Sequence, residues 1–419
     1  MDDPDRRILD ASISLIAEVG IRGAALRKIG QRAGIHFTNL SKKYGSKDAL
    51  VAECFAEVAR RDLTRFRNTV HQSLHLQLGE DAILQLLWMA CDDFGSSLRN
   101  EGIVLAELLL ASESDPVYAD ICANWLTARR EQLRRLADHL EVEANAFDIL
   151  GIILMSEIMF AVSCHESIRY RLLSRYGLEV AYRCLADRSW TRDTGVEKGL
   201  IEQFYLSPPP ATDTGPIPDR KRRDETIKKI VEAAVSLIEE SGVQAVTIKA
   251  VSDRAGVSST LSNYYFDSIN DIYYAGIHRI FEETHGRAAK AAQDLENVYS
   301  DILIRADPAE IPRRNQLIYR GIVELLLAGA RDERHRTLAV STRQLIGSVT
   351  FAATSADQQD LAMRLRSSAY SLWAMPTLIL VPLLAGEPGW DFAAQSRLAV
   401  TRLLGVESGP RMPAAEASA

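Results

Sequence analysis

The sequence predicts an all-α protein made of two similar halves, and three observations support that fold class. Two stretches of the 419-residue chain repeat each other without a gap, 222 residues apart. In both stretches the apolar residues recur every three or four positions, which is the spacing of amphipathic helices. A proline-rich segment, 207–218, lies between the halves. Because an internal repeat sets the architecture, we infer that one ancestral unit is present twice.

Identical residues at matching positions define the repeat. In the first copy they are Ile8, Ala11, Ser14, Leu15, Ile16, Glu18, Gly20, Arg32, Ala33, Gly34 and Ser46. In the second copy they are Ile230, Ala233, Ser236, Leu237, Ile238, Glu240, Gly242, Arg254, Ala255, Gly256 and Ser268. The chain is 47% hydrophobic and 25% charged, as in globular proteins, and its length exceeds what one core can serve.

Each repeat predicts three short helices. In the first copy, apolar residues from Ile8 to Val19 have helical spacing, and glycines at positions 20 and 34 interrupt the pattern. Glycine at such breaks lets the chain leave one helix in a left-handed conformation and enter the next. The corner at Ala33 to Ile35, like its counterpart at Ala255 to Val257, has the spacing of a helix-turn-helix.

These corners carry a resemblance to a known family. The segment Leu26 to Ile35, followed by Tyr44 to Leu50, resembles the N-terminal DNA-binding domain of the TetR family of bacterial transcriptional regulators. The segments Ile248 to Ser258 and Asn263 to Ser268 resemble it equally. Each copy precedes enough chain for a complete family member. The resemblance therefore implies two tandem TetR-like units, each with a three-helix DNA-binding head and a helical ligand-binding and dimerisation domain.

The repeat and the resemblance together predict the domain boundaries. We expect a first head at 1–50, a first helical domain at 51–206, a proline-rich linker and basic arm at 207–223, a second head at 224–272, a second helical domain at 273–405 and a disordered tail at 406–419.

The resemblance also implies which residues contact DNA, because the third helix of the family's head enters the major groove. In the first head these are His36, Phe37, Thr38, Asn39, Ser41, Lys42 and Lys43, and in the second head they are Ser258, Ser259, Thr260, Leu261, Asn263, Tyr264 and Tyr265. The resemblance also implies DNA contact by Arg27 and Lys249 on the second helix and phosphate binding by Lys47 at the start of the fourth helix. Polar side chains of these types read base edges or bind phosphate. Tyr44 and Phe266 match a core aromatic instead. An ordinary solvated helix is the alternative for each residue taken singly.

The two heads differ in charge. Residues 6–50 contain nine basic and three acidic residues, a net charge of +6, whereas residues 228–272 contain four basic and six acidic residues, a net charge of −2. The first head should therefore attract DNA phosphates more strongly. The second head has Ile269 where the family usually has a phosphate-binding lysine. Its basic run from Arg220 to Arg223 is either an arm that reaches the DNA or a solvated charge run.

The heads also differ at the starts of their second and third helices. The second head has Thr247 and Ser258 there, which are good N-cap residues, whereas the first head has Ala25 and His36. A missing cap costs about 1 kcal/mol, so we expect the first head to be the less stable one.

The remaining chain predicts further helices by its apolar period. These are Asp81 to Leu98, Tyr118 to Leu140 and Ala146 to Cys164 in the first half, and Ile311 to Ala330, Arg334 to Ala353, Gln358 to Ala385 and Asp391 to Leu404 in the second. The apolar runs in Ile149 to Cys164 and Ser371 to Gly386 are short and interrupted, so we expect buried core helices and no membrane span.

In the resembling family the later helices hold a ligand cavity and form a four-helix dimer interface. Candidate cavity residues are Trp88, Cys91, Phe94, Phe160, Tyr319, Glu324, Trp373 and Met375. Packed core is the alternative for all of them. We expect Ala146 to Cys164, with the helices that follow, to pair with Gln358 to Leu404 as an intrachain pseudo-dimer, and whether two chains associate further stays open.

These observations predict a DNA-binding transcriptional regulator, most simply a repressor released by a small apolar or amphipathic effector. Its partners would be a double-stranded DNA operator and that unidentified small molecule. The alternative is a single-headed DNA binder whose second half is a degenerate partner-binding module.

No catalytic or phosphate-loop motif and no metal-ligand spacing is visible, so an enzyme, a cofactor and a metal are not expected. Five cysteines without a C-x-x-C pair predict reduced thiols, and the acidic N-terminus shows no signal peptide, which predicts a cytoplasmic protein.

Overall fold

The computed structural model is α-helical without strands in the part of the chain that it describes, which confirms the predicted fold class. The described residues are 4–188, 199, 220–241, 245–291, 313–354, 360–384, 386–387 and 389–405. Most of the predicted linker and the whole predicted tail, 207–219 and 406–419, lie outside them. Helix α10 begins at Arg220, so the backbone of the basic run from Arg220 to Arg223 is helical.

The first half contains nine α-helices in its described residues. They are α1 (Pro4–Gly23), α2 (Leu26–Ala33), α3 (Phe37–Tyr44), α4 (Lys47–His75), α5 (Glu80–Asp92), α6 (Arg99–Ala111), α7 (Pro116–Leu140), α8 (Ala144–Cys164) and α9 (Ile168–Leu185). Helices α1 to α3 form the first head, and α1 bends at Gly20. Helix α4 leads from the head into the body, where it packs along α7.

The described residues of the second half also contain nine α-helices. They are α10 (Arg220–Ser241), α11 (Ile248–Ala255), α12 (Ser259–Tyr265), α13 (Ile269–Ala291), α14 (Arg313–Arg331), α15 (Glu333–Leu345), α16 (Ser348–Thr354), α17 (Leu361–Leu384) and α18 (Phe392–Ala399), the last extended by a π-helical turn, Val400–Leu404. Helices α10 to α12 form the second head. Positions 222 apart place α8 opposite α17 and α9 opposite α18 in the repeat.

Two of the predicted helices are broken. The prediction of Asp81 to Leu98 was wrong at its end, because α5 stops at Asp92 and a 3₁₀ turn at Asp93–Gly95 follows. The prediction of Arg334 to Ala353 was also wrong, because Gly347 separates α15 from α16. An apolar period shows which face of a segment is buried, but it does not show where the backbone changes direction.

Two helices are long and apolar enough to cross a membrane by length and composition alone. In Ala144–Cys164, 94% of the most apolar 18-residue stretch is buried inside the protein, and in Leu361–Leu384 the corresponding share is 67%. A helix that is apolar all round is expected at the centre of a large core. The burial of α8 and α17 agrees with the prediction that they are core helices.

The two halves meet along a seam formed mainly by α8 and α9 from the first half and α17 and α18 from the second. These are the segments predicted to pair. Helices α14 and α15 also pack on α8, and α14 lies along α6, contacts that were not predicted. Inside the seam the Ser156 hydroxyl donates to the Leu372 carbonyl at 2.7 Å, and Arg343 pairs with Glu157 at 2.6 Å.

The five cysteines are free thiols, as predicted. Burial raises the pKa of Cys54 and Cys122 to about 12, and it raises the pKa of Cys91 and Cys164 further. Cys184 is half-buried, and burial raises its pKa as well. The thiolate is the reactive form of cysteine, and a raised pKa keeps these thiols protonated near neutral pH. They are therefore poor nucleophiles and pack as apolar groups.

Candidate nucleic-acid interface

In both heads, the arginine of the repeat ties the first helix to the second. Arg32 pairs with Glu18 at 2.5 Å, and Arg254 pairs with Glu240 at 2.7 Å. Each arginine also donates to the serine hydroxyl four residues before its glutamate, at 3.1 Å in the first head and 2.6 Å in the second. The pairing with Arg254 lowers the pKa of Glu240. The repeated Ser, Glu and Arg therefore orient helices within each head.

The corner between the second and third helices has the same backbone in both heads. Gly34 and Gly256 adopt left-handed conformations, with φ of 68° and 66°. After each glycine the next amide donates back into the preceding helix, from Ile35 to the Gly30 carbonyl at 2.8 Å and from Val257 to the Ser252 carbonyl at 3.0 Å. This is the helix-ending pattern that glycine favours. Both corners are therefore helix-turn-helix turns.

The third helix of the first head, α3, is held by one buried side chain and presents the rest outward. Leu40 is fully buried and Tyr44 is half-buried, as expected for the core position. The predicted DNA-contact residues that are exposed in this head are Arg27, His36, Phe37, Thr38, Asn39, Ser41, Lys42 and Lys43. Phe37 is 45% exposed although it is a large apolar residue. An exposed polar face with one unburied aromatic is suited to a DNA groove.

The lysines of the first head differ in how far they are already engaged. Lys43 forms an ion pair with Asp5 on α1, and the half-buried Lys47 donates to the Arg22 carbonyl at 3.3 Å. Lys42 is exposed and has no ion-pair partner among the described residues. The charge of Lys42 is therefore not balanced by a carboxylate among the described residues, while Lys47 helps to attach α4 to the end of α1.

The third helix of the second head, α12, presents a different surface. The predicted contact residues exposed there are Lys249, Ser258, Ser259, Thr260, Asn263 and Tyr264, whereas Leu261, Tyr265 and the expected core residue Phe266 are half-buried. Tyr264 is 75% exposed and makes an edge contact with Tyr265, with ring centroids 5.1 Å apart. This face is neutral and aromatic where α3 is basic.

The cap residues differ as predicted. Thr247 accepts from the Ala250 amide and Ser258 from the Leu261 amide, both at 3.1 Å. Ala25 and His36 make no side-chain cap hydrogen bond. The first head therefore starts two of its helices with amides that receive no side-chain cap.

The predicted ligand residues fall into two groups. Phe160, Tyr319 and Met375 meet at the seam, around a cavity of about 10 Å³ between α8, α14 and α17. This volume holds about one water molecule. The first-half residues Cys91 and Phe94 are buried in core, and Trp88 donates from its indole nitrogen to the Ser174 hydroxyl at 3.1 Å. They do not line the seam cavity.

The other two predicted ligand residues lie apart from this cavity as well. Glu324 pairs with Arg320 at 3.1 Å. Trp373 stacks on Phe392 with ring centroids 5.9 Å apart, and its buried indole nitrogen has no acceptor among the described residues.

A polar pocket that the sequence did not predict lies at one end of the seam. Its volume is about 390 Å³, and its lining includes Arg188, Arg366 and Arg402. Two of these arginines are engaged within the protein, since Arg402 pairs with Asp187 and Arg188 with Glu80 at 3.1 Å. Most of the positive charge of the pocket is therefore balanced by carboxylates of the chain itself.

The fold and its two heads define a helix-turn-helix DNA-binding protein. Residues 8–54 and 230–275 match the family described as bacterial regulatory proteins, tetR family. The two matches cover α1 to α3 and α10 to α12 together with the start of the helix that follows. A search of curated proteins found no match. A solved structure of a protein described as a transcriptional regulator, from Streptomyces coelicolor A3(2), is 18% identical and aligns over 43% of this chain and 99% of that chain, with a TM-score of 0.34.

The chain therefore carries the DNA-binding domain of the tetR family of bacterial regulatory proteins twice, once in each half. It is a DNA-binding transcriptional regulator.

Proposed function

We propose that this chain is a repressor in which both heads bind one operator and a small apolar or amphipathic molecule releases it. The observation that carries the proposal is the pair of exposed third helices, α3 and α12, on heads whose bodies pack against each other along the seam. In this arrangement one chain would bind the operator with two heads, as a two-fold dimer does. We propose the same division into heads, bodies, linker and tail that the repeat predicts.

The two heads would enter successive major grooves on one face of the DNA, about 34 to 36 Å apart. The base contacts would come from Thr38, Asn39 and Ser41 in the first head and from Ser259, Thr260 and Asn263 in the second. Because these side chains differ, the two half-sites should differ in sequence. An operator that is a perfect inverted repeat would contradict this expectation.

The effector would act at the seam. The cavity between Phe160, Tyr319 and Met375 holds no more than about one water, so a larger apolar molecule would bind there only by moving α14 away from α8. A ligand shifts a conformational equilibrium only through its different affinity for the two states. The state with the seam opened would therefore bind the effector, and the packed state would bind DNA.

A second candidate is a protein in which only the first head binds DNA. The net charge of −2 on the second head favours it, as does Ile269 at the start of α13, where the first head has Lys47. In that case the second half would serve as a partner-binding module. The exposed Asn263 and Tyr264 favour the two-headed function instead.

The first experiment is operator binding with DNA from upstream of the protein's own gene, with stoichiometry measured by native mass spectrometry. One chain per operator supports the covalent pseudo-dimer. Two chains per operator would mean that each half pairs with its counterpart in another chain. Binding measured with and without candidate apolar molecules then tests the effector.

Paired variants separate the two functions. The double variant Lys42→Ala with Lys43→Ala should lower the affinity for the operator. It should also make the negative slope of log K against log salt concentration less steep by about 2, since each phosphate contact contributes about 0.9. Asn263→Ala with Tyr264→Ala should weaken binding at one half-site only. Arg67→Ala is the control, because Arg67 is exposed on α4, about 30 Å along the helix from Lys47. If the Asn263 and Tyr264 variant binds like the unchanged protein, the second head does not contact DNA.

A further inference from the structure

We propose that Arg331, in the second half of the chain, is a positioning residue for the DNA-binding head of the first half. Arg331 is the last residue of α14. Its guanidinium donates from Nε to the Ala17 carbonyl at 2.9 Å and from Nη2 to the Ile16 carbonyl at 3.1 Å. Both carbonyls belong to α1, the first helix of the first head. One side chain thus joins the body of one half to the head of the other.

A third bond fixes the orientation of this guanidinium. Arg331 Nη2 also pairs with Glu107 of α6 at 2.5 Å, and the two side chains are only 21% and 13% exposed. The planar guanidinium offers donors in a rigid fork, so three acceptors in fixed positions leave it one orientation. A cation near helix carbonyls is also favoured by the helix dipole. The contact is therefore a specific attachment of α1 to α6 of its own half and to α14 of the other half.

Four residues later the chain contacts α13, the helix that directly follows the second head. His335 Nε2 lies 3.1 Å from Asp271 Oδ1, and its ring makes an edge contact with Tyr274, with centroids 4.9 Å apart. Asp271 and Tyr274 lie in the first two turns of α13, the helix that follows the DNA-reading helix α12. The corner from Arg331 to His335 therefore contacts α1 of the first head and α13, the helix that directly follows the second head.

This corner is short and fixed at both ends. The Asp332 amide donates to the Ala328 carbonyl at 2.8 Å, and the His335 amide donates to the Asp332 carbonyl at 3.1 Å. Arg99 of α6 donates to the Ala330 carbonyl, and Arg336 pairs with Glu166. Contacts with the first head, with α13 next to the second head and with the first body are thus concentrated in about two helical turns. The corner sets the distance between the two heads, and Arg331 is its attachment to the first head.

This inference rests on the proposed binding of one operator by both heads. Operators with one or two base pairs inserted or removed between the half-sites supply the test, because each base pair shifts one half-site by about 3.4 Å and rotates it by about 34°. The unchanged protein should prefer one spacing sharply. Arg331→Met removes the donors while keeping the length of the side chain. It should lower affinity at the preferred spacing about tenfold and lower it much less at the neighbouring spacings, so that the profile flattens.

Two further variants make the test specific. Arg336→Met is the matched control, since it removes a cross-half ion pair from the same corner. Among the residues that the structure describes, Arg336 has no hydrogen bond or ion pair with α1 or α13, so the spacing profile of this variant should stay sharp. Glu107→Gln should also flatten the spacing profile, because it weakens the ion pair that orients Arg331. It replaces Arg331→Met in the test if that variant fails to fold. A uniform loss of affinity at all spacings, or an unchanged profile, would overturn the role of Arg331. If the unchanged protein shows no preferred spacing, the proposed two-headed binding is itself wrong.

Discussion

Removing one partner of the ion pair between Glu157 and Arg343 should destabilise the seam strongly. The two groups are 2.6 Å apart, and their side chains are 4% and 1% exposed. Arg343 also donates to the Ser368 hydroxyl at 3.1 Å and lies over the Phe160 ring at 5.5 Å. Arg343→Met would leave the carboxylate buried without its cation. Breaking such a pair costs about 3 to 5 kcal/mol, which is a large fraction of the stability of a domain.

The double variant Glu157→Leu with Arg343→Met should behave differently. Glu157 Oε2 is buried and has no hydrogen-bond partner among the described residues, so the pair does not satisfy all of its polar atoms. Replacing both partners by apolar side chains should therefore be neutral or should stabilise the protein by about 1 to 4 kcal/mol.

Urea denaturation followed by far-UV circular dichroism measures the free energies of unfolding, and a double-mutant cycle gives the coupling between the two positions. Arg320→Met is the control, because it breaks a cross-half pair with Glu113 whose side chains are 30% and 27% exposed, and it should cost below about 1 kcal/mol. If Arg343→Met costs as little as Arg320→Met, or if the double variant is as unstable as the single one, the argument from burial is refuted.

Three further predictions follow from local contacts. Gly30→Ser should lower the free energy of unfolding by roughly 1 to 3 kcal/mol in urea titrations, because its Cβ would lie 2.6 Å from the Ile35 carbonyl oxygen, and a cost near zero would contradict the contact. Ser258→Ala should cost about 1 kcal/mol in the same assay through loss of an N-cap, whereas His36→Ala should cost little. Labelling of the native protein with iodoacetamide should modify Cys184 first, and mass spectrometry that found the fully buried thiols modified equally fast would contradict the core packing.

The heads could be predicted almost completely from the sequence, because their signals are local. Glycines at 34 and 256 mark the corners, and matching residues 222 apart show that both heads have one fold. The capping difference was also visible, since N-cap residues act through their own first turn. The repeat did not reveal that Arg32 and Arg254 tie helices together within the heads. Repetition of a serine, a glutamate and an arginine fits a structural tie as well as a DNA contact.

The body of the protein could be predicted only in outline. The apolar period identified the seam helices α8 and α17, but it could not show that α14 packs on α8 or that Arg331 reaches the other head. Such contacts join residues that are far apart in the sequence, and no local pattern determines them. One signal was available: Glu157 interrupts a long apolar run, and a charge within such a run predicts a buried partner. The candidate cavity residues do not all line one cavity, because aromatic side chains at helical spacing fit a packed core equally well.

The two heads have net charges of opposite sign, but this does not argue against DNA binding by both. The heads belong to one chain, so binding by one head brings the other close to the DNA. Once the first head, with its net charge of +6, is bound, the second head is held near the DNA at a high local concentration. Linked modules meet their sites at effective concentrations in the millimolar range, so a head that binds weakly alone still adds to the total affinity. In the proposed two-headed complex, the second head, with its charge of −2, would then need few phosphate contacts and would contribute mainly through base edges. This advantage depends on holding the heads at a fixed separation, which is the role we assign to Arg331.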